Sequence, residues 1–177
     1  MARLFSATDA KRIIERHQNI IEKLNNSVSS VEKYRTKAKE ASDALVAQEV
    51  LKVLADIPIE EINRDKRGIR VKALKDYGYR TIADISTASV YSIASVHGIS
   101  EDAAYTIKSI VNDIVSKARQ GVKIRLSTDN RSREATALVL ALSQYRRSQK
   151  VADECRQLLN KNKQTIDYAV EDLNSTI

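Results

Sequence analysis

Apolar residues in the first third of the chain recur every three or four positions. The first run consists of Ile14, His17, Ile21, Leu24, Val28 and Val31. The pattern weakens over residues 35–42 and resumes in a shifted register at Val46, Val50, Val53 and Ile57. This spacing is typical of one stripe on a long helix, and a cap at Thr8 or Asp9 suits its start. Since Pro58 disfavours helix at the residue before it, the pattern predicts a helix over residues 8–57.

The last third shows the same spacing and predicts a second long helix over residues 129–177, capped by Asp129 or Ser132. Its stripe consists of Ala135, Leu138, Leu142, Tyr145, Gln149, Ala152, Arg156, Leu159, Lys163, Ile166, Val170, Leu173 and Ile177. Because Ile177 still belongs to the stripe, we expect the helix to continue into further domains of a longer protein.

Two long helices with one apolar stripe each need a partner to cover those stripes. The two weak segments, residues 35–42 and 149–153, face each other if the chain folds back on itself. The sequence therefore predicts an all-α fold: an antiparallel coiled-coil hairpin with a small helical domain, residues 58–128, inserted at its tip. In the alternative, each stripe is covered by a second copy of the chain in a homodimer.

The middle segment contains all four glycines and predicts short helices between them. The predicted helices are Val71–Tyr77 followed by Gly78, then Thr81–Ser86, Ser89–Val96 and Glu101–Lys117. Ser100 is the expected N-cap of the last of these helices, and Gly98 is expected to break the helix before it.

Residues 96–107 carry the motif on which the functional interpretation rests. Gly98, Ile99, Ser100, Ala104 and Ile107 fall in the order of the helix-hairpin-helix motif, which this segment resembles. Residues 74–85 resemble the linker of tandem helix-hairpin-helix units, as in recombinase N-terminal domains and the C-terminal domain of the bacterial RNA polymerase alpha subunit. The resemblance implies contact with the sugar-phosphate backbone of DNA through main-chain amides, with little sequence preference. His97, Gly98, Ile99 and Ser100 are the candidate contacts in this hairpin.

The first hairpin of the pair departs from this motif. Asp65 stands where the first glycine is expected, and Gly68 follows three residues later. Basic side chains are abundant there, and we expect them to replace amides as phosphate contacts. The candidates are Arg64, Lys66, Arg67, Gly68, Arg70, Lys72 and Lys75, joined by Lys123 and Arg125 from a second basic stretch.

Composition narrows the class of protein. The 177 residues contain 30 basic and 23 acidic side chains, a net charge of +7 that favours a polyanionic partner. Four glycines and one proline are too few for a turn-rich β fold, and one cysteine excludes an internal disulfide. The sequence has neither an apolar run of membrane-spanning length nor a secretory signal, so we expect a cytoplasmic protein without a membrane partner.

The sequence lacks a phosphate-binding loop, a nucleophile elbow and a typical zinc-ligand set, so no cofactor, metal or catalytic residue is predicted. The favoured function is a non-enzymatic, DNA-binding accessory module of a larger DNA-processing protein, such as a helicase, a nuclease or a repair enzyme. The alternatives are a protein-interaction or structural arm and, third, a lyase-type fragment that uses a lysine.

Overall fold

The computed structural model describes residues 6–127 and 129–175, and most of these residues are helical. The elements are α1 (Ala7–Ala55), a 3₁₀ helix (Ile59–Asn63), α2 (Val71–Tyr77), α3 (Ile82–Thr87), α4 (Val90–Ala94), α5 (Glu101–Gly121) and α6 (Arg133–Ser175). They divide into a hairpin unit, residues 42–135, and a two-helix unit, residues 1–41 with 136–177. None of the described helices has the length and apolar character required to cross a bilayer.

The start of α1 differs from the prediction. Ser6 is the N-cap, not Thr8 or Asp9, because the backbone N–H of Asp9 donates to the Ser6 hydroxyl at 3.3 Å. Asp9 completes a capping box, since its carboxylate accepts from the Ser6 hydroxyl at 2.7 Å and from the Ser6 N–H at 3.3 Å. The Ser6 hydroxyl holds the pKa of Asp9 below its usual value.

In the two-helix unit, the N-terminal part of α1 packs with α6. Ala10, Ile14 and Ala38 are buried on α1, and Ala152 and Cys155 are buried on α6. Residues 17–24 share one groove with residues 158–169, and residues 27–37 share another with residues 144–151. Early positions of α1 therefore lie beside late positions of α6.

The predicted stripes need correction at several positions. On α1, Leu45 and Leu54 are buried, whereas Val53 is 43% exposed. On α6, Leu142, Gln149 and Arg156 are exposed, while Ser148 is half-buried and Cys155 is buried. Successive residues on a helix point about 100° apart, so a choice between steps of three and four decides which neighbour faces inward. Predicted stripe position Ile177 lies outside the described residues.

The hairpin unit is built around one apolar core. Its buried members are Val50, Leu54, Ile59, Ile62, Leu74, Ile82, Ile85, Ile93, Val96, Ile99, Ala104, Ile107 and Val111. Most are isoleucines supplied one or two at a time by the short helices and by α5. Because each short helix buries only one or two side chains, its position depends on the shared core rather than on its own stability.

The short helices largely follow the prediction. Helix α2 ends at Gly78, whose φ of +118° and N–H bonds to Leu74 and Lys75 form a left-handed C-cap. Ser100 caps α5, accepting from the Ala103 N–H at 3.2 Å. Helix α5 extends to Gly121, four residues beyond the predicted end, and the 3₁₀ helix was not predicted.

We expect Asp84→Ala to lower the free energy of unfolding by about 1 kcal/mol at neutral pH. The Asp84 carboxylate accepts the N–H groups of Arg80 and Thr81, both at 2.8 Å, which lowers its pKa from 3.8. A lowered folded-state pKa means that this stabilisation is present above about pH 4 and is lost as pH falls through the folded value. Urea unfolding of both proteins at neutral pH and below that pKa measures it.

Asp113→Ala is the matched control, because Asp113 is exposed on α5 and has no ion pair among the described residues. If Asp84→Ala and Asp113→Ala changed stability equally at neutral pH, the capping contribution would be absent.

Candidate nucleic-acid interface

The hairpin unit contains two turns with the same local design. Gly68 and Gly98 have φ values of +74° and +86°, which a residue with a Cβ rarely adopts. Each is followed by an isoleucine and a cap residue, and a helix begins three residues after the glycine. Gly68, and not position 65, is therefore the counterpart of Gly98, which corrects the alignment made from the sequence.

The match continues into the helices that follow. Leu74 and Ala104 stand six residues after their respective glycines, and both are fully buried in the core. Ile69 and Ile99 also pack on that core. Their N–H groups are satisfied within their own turns: Ile69 donates to the Asn63 side chain at 3.3 Å, and Ile99 donates to the Val96 carbonyl at 3.0 Å.

The two turns meet through Arg70, the cap residue of α2. A Cβ built on Gly98 would lie 2.8 Å from Nη1 of Arg70, which is closer than real contacts permit. The guanidinium of the first hairpin therefore rests against the glycine of the second. Among the described residues, Arg70 has no carboxylate partner, so its charge stays available to a ligand.

Both turns line one open cleft of about 430 Å³, named here the hairpin cleft. Its lining residues are Arg67, Gly68, Ile69, Arg70, Gly98, Ile99, Ser100, Ala103, Thr106 and Ile107. The only charged side chains in this described lining are two arginines. The N–H groups of Gly68, Arg70, Gly98 and Ser100 have no intramolecular acceptor among the described atoms. The cleft thus combines cationic side chains with unsatisfied backbone donors, the chemistry that binds phosphate.

The first turn of α5 also carries acidic residues, which disfavour phosphate. Glu101, however, lines a different groove, between Tyr91 and Tyr105, and neither Glu101 nor Asp102 lines the hairpin cleft. Ser100, Ala103 and Ile107 follow the spacing of three and four residues that turns one face of α5 to the cleft. Glu101 therefore belongs to another face of the helix, whereas Asp102, four residues before the lining residue Thr106, stands at the edge of the face that lines the cleft.

The predicted cations differ in how their charge is used. Arg64 pairs with Glu61 at 2.9 Å, Arg67 with Asp65 at 3.1 Å, and Lys75 with Glu60 at 2.6 Å. The last contact lowers the pKa of Glu60. All three pairs are exposed, and exposed pairs contribute little energy, so a polyanion can compete for these cations. Lys66 and Lys72 are exposed and form no ion pair within the described chain.

Other predicted contacts lie outside the hairpin cleft. His97 is exposed beside Gly98 but is not part of the lining. Lys123 and Arg125 are exposed in the segment that follows α5 and do not line the cleft. Ile99 lines the cleft but is only 8% exposed and belongs to the core.

Two features were missed by the sequence interpretation. Lys108 donates to the carbonyls of Ile85, Ser86 and Ala88 at 3.3, 3.0 and 2.9 Å, so its charge stabilises the C-terminal end of α3. Ala103 and Thr106 line the cleft, and their spacing from the Ser100 cap would have indicated this. The His, Cys, Asp and Glu side chains of the described residues form no group of three or more suited to a metal ion.

The chain matches no protein-family model, and no match was found among curated proteins or solved structures. The function is therefore inferred from the geometry and charge of this chain.

The backbone conformations of three glycines predict how substitution by alanine changes stability. Gly68→Ala adds a Cβ at positive φ in open space, which costs about 1–2 kcal/mol of strain. Gly98→Ala carries the same strain, and the exposed Arg70 side chain can move its guanidinium away at little cost, so we expect a similar loss of stability. Gly121→Ala is the control: it ends α5 outside the left-handed region with nothing within 4 Å, and we expect a gain of up to about 1 kcal/mol.

Denaturant unfolding of the three variants measures the differences. A loss with Gly98→Ala far larger than that with Gly68→Ala would contradict a freely displaced Arg70 side chain.

Proposed function

We propose that this chain is a non-sequence-specific DNA-binding module whose two hairpins contact the sugar-phosphate backbone. The observation that carries the proposal is the hairpin cleft, where two positive-φ glycine turns and two arginines line one surface; Arg70 has no ion pair among the described residues, and Arg67 has only an exposed one with Asp65. Backbone amides and guanidinium groups recognise phosphate rather than bases. The proposal therefore includes affinity for the DNA backbone and little discrimination between sequences.

The local pattern around both glycines supports the tandem helix-hairpin-helix interpretation. A turn with positive φ at the glycine, an isoleucine, a cap residue and a buried residue at the sixth position occur twice in the hairpin unit. We assign the module to a larger DNA-processing protein, such as a helicase or nuclease, in which it supplies binding.

The proposal also includes a coiled-coil hairpin formed by α1 and α6, with the helical domain inserted between them in sequence. The shared grooves support it, because residues 17–24 lie beside residues 158–169 while residues 27–37 lie beside residues 144–151. Pairings that run in opposite directions along two helices are those of an antiparallel pair.

A second candidate function is a protein-interaction arm, and the groove between Tyr91 and Tyr105 favours it. These side chains are 83% and 57% exposed, and Glu101 is the charged residue in the described lining of their groove. Exposed tyrosines are enriched at protein interfaces. A carboxylate in that lining disfavours nucleic acid at the same place, so DNA binding and protein binding would use different faces.

We expect the salt dependence of DNA binding to distinguish the two functions. Contact with three to five phosphates gives a slope of about −3 to −4 for log K against log salt on duplex DNA. Fluorescence anisotropy with labelled duplexes of two unrelated sequences measures the slope and the sequence preference together. Absence of binding at low salt would favour the protein-interaction arm.

Charge reversal at the cleft tests the assigned residues. Arg70→Glu removes the unpaired guanidinium that lies against Gly98, so we expect a loss of about tenfold or more in DNA affinity, equal for both sequences. Lys117→Glu is the control, since Lys117 is exposed on α5 and does not line the cleft. A change in base preference with Arg70→Glu, or an equal loss with Lys117→Glu, would contradict backbone contact at this cleft.

A further inference from the structure

A second cationic surface lies in the two-helix unit. A groove of about 440 Å³ runs between α1 and α6 and is called here the polar groove. Ser27, Ser30 and Lys37 line it from α1, and Gln144, Arg147 and Ser148 line it from α6. Apart from Tyr34 and Val151, the lining side chains carry hydroxyl, amide or cationic groups, where apolar side chains would have given a continuous helix pair.

Two like charges share this groove without compensation. Lys37 and Arg147 come from opposite helices, and no carboxylate belongs to the described lining. Neither side chain forms an ion pair with another described residue; the Lys37 ammonium instead lies 6.0 Å from the centre of the Tyr34 ring. An anion bound in the groove would be attracted by both cations.

The surroundings strengthen the positive potential. Residues 27–40 and 142–154 together contain four acidic side chains, Glu32, Glu40, Asp153 and Glu154; Glu32 lies 3.5 Å from Arg35, and Asp153 lies 2.6 Å from Arg156. The basic side chains of these two segments are Lys33, Arg35, Lys37, Lys39, Arg146, Arg147 and Lys150. Seven basic against four acidic side chains give the two segments a net charge of +3, to which the sequence interpretation assigned no role.

We propose that the polar groove binds a phosphate group of a nucleic-acid backbone. The Arg147 guanidinium supplies paired donors, Lys37 supplies a second charge, and hydroxyl groups complete the set. The Ser30 and Ser148 hydroxyls donate to carbonyls of their own helices, both at 2.7 Å, and each can rotate to donate to a phosphate oxygen. A repeating polyanion suits the site better than a single anion, because Lys33 and Lys150 continue the charge along both helices.

This inference rests on the proposed function, in that the ligand is the same nucleic acid. A site-resolved measurement distinguishes binding at the polar groove from binding at the hairpin cleft. The ¹⁵N-labelled full chain is titrated with a short DNA duplex, and the backbone amide shifts are followed by NMR. We expect shifts both at residues 144–151 and at residues 67–70 and 97–100. Shifts confined to the hairpins overturn the polar groove, and shifts confined to residues 144–151 overturn the hairpin cleft while supporting the groove.

A parallel titration with inorganic phosphate identifies the source of the phosphate group. We expect the groove amides to saturate with duplex DNA at far lower concentration than with phosphate. Equal saturation by inorganic phosphate would overturn a nucleic-acid ligand. Shifts at neither site with duplex DNA would overturn both the groove and the proposed function.

Neutralising variants give the energetic test. Arg147→Gln removes one phosphate contact, so we expect DNA affinity to fall about three- to tenfold and the salt slope to decrease by about one. Arg146→Gln is the matched control: it removes the same charge from the adjacent residue, which is exposed and does not line the groove. Circular dichroism checks that both variants remain helical. Equal effects of the two substitutions would overturn a defined site and leave only diffuse attraction.

Discussion

The contact between the Arg70 guanidinium and the backbone of Gly98 joins the two hairpins of the molecule. It needs a residue without a Cβ at position 98, since any such atom would lie 2.8 Å from Nη1 of Arg70. It also needs a φ of +86°, which glycine adopts without strain. The contact brings a cation to a turn whose own helix begins with two carboxylates. The hairpin cleft is therefore lined by arginines of the first hairpin together with the glycine turn of the second.

The apolar core holds this contact in place. Ile69 and Ile99, each directly after its glycine, pack on the same group of buried side chains. Their N–H groups bond inside their own turns, so the isoleucines anchor the loops while the amides on either side stay unsatisfied. In each turn, the isoleucine thus packs on the core, and the residues on either side of it offer their N–H groups to a ligand.

The local patterns of the middle segment could be predicted from the sequence because each has its own chemical signal. Gly78 is the C-cap of α2, and Ser100 is the N-cap of α5. The N-cap of α1 was placed wrongly because Ser6, Thr8 and Asp9 are all good cap residues, and the reciprocal bonds of Ser6 and Asp9 decide between them. The sequence could not identify Gly68 as the turn glycine of the first hairpin, because that role is shown by its backbone φ, which residue identity alone does not give.

The sequence could not predict which cations form ion pairs or which residues line the hairpin cleft. Both depend on contacts between residues that are separated in the chain. Lys75 reaches Glu60 and Arg119 reaches Asp43, so a count of basic residues overstates the charge available to a ligand. The side-chain direction of Glu101 has the opposite effect, because it removes a carboxylate from the hairpin cleft that the sequence places beside it.

The net charge of a cleft or groove therefore depends on whether carboxylates line it together with the cations. Arg70 in the hairpin unit and Arg147 in the two-helix unit each line a concave surface from which described carboxylates are absent. Each lies beside neutral donors: backbone amides in the first case and hydroxyl and amide side chains in the second. Both arginines are exposed and form no ion pair among the described residues, so a phosphate can bind them without first displacing a carboxylate.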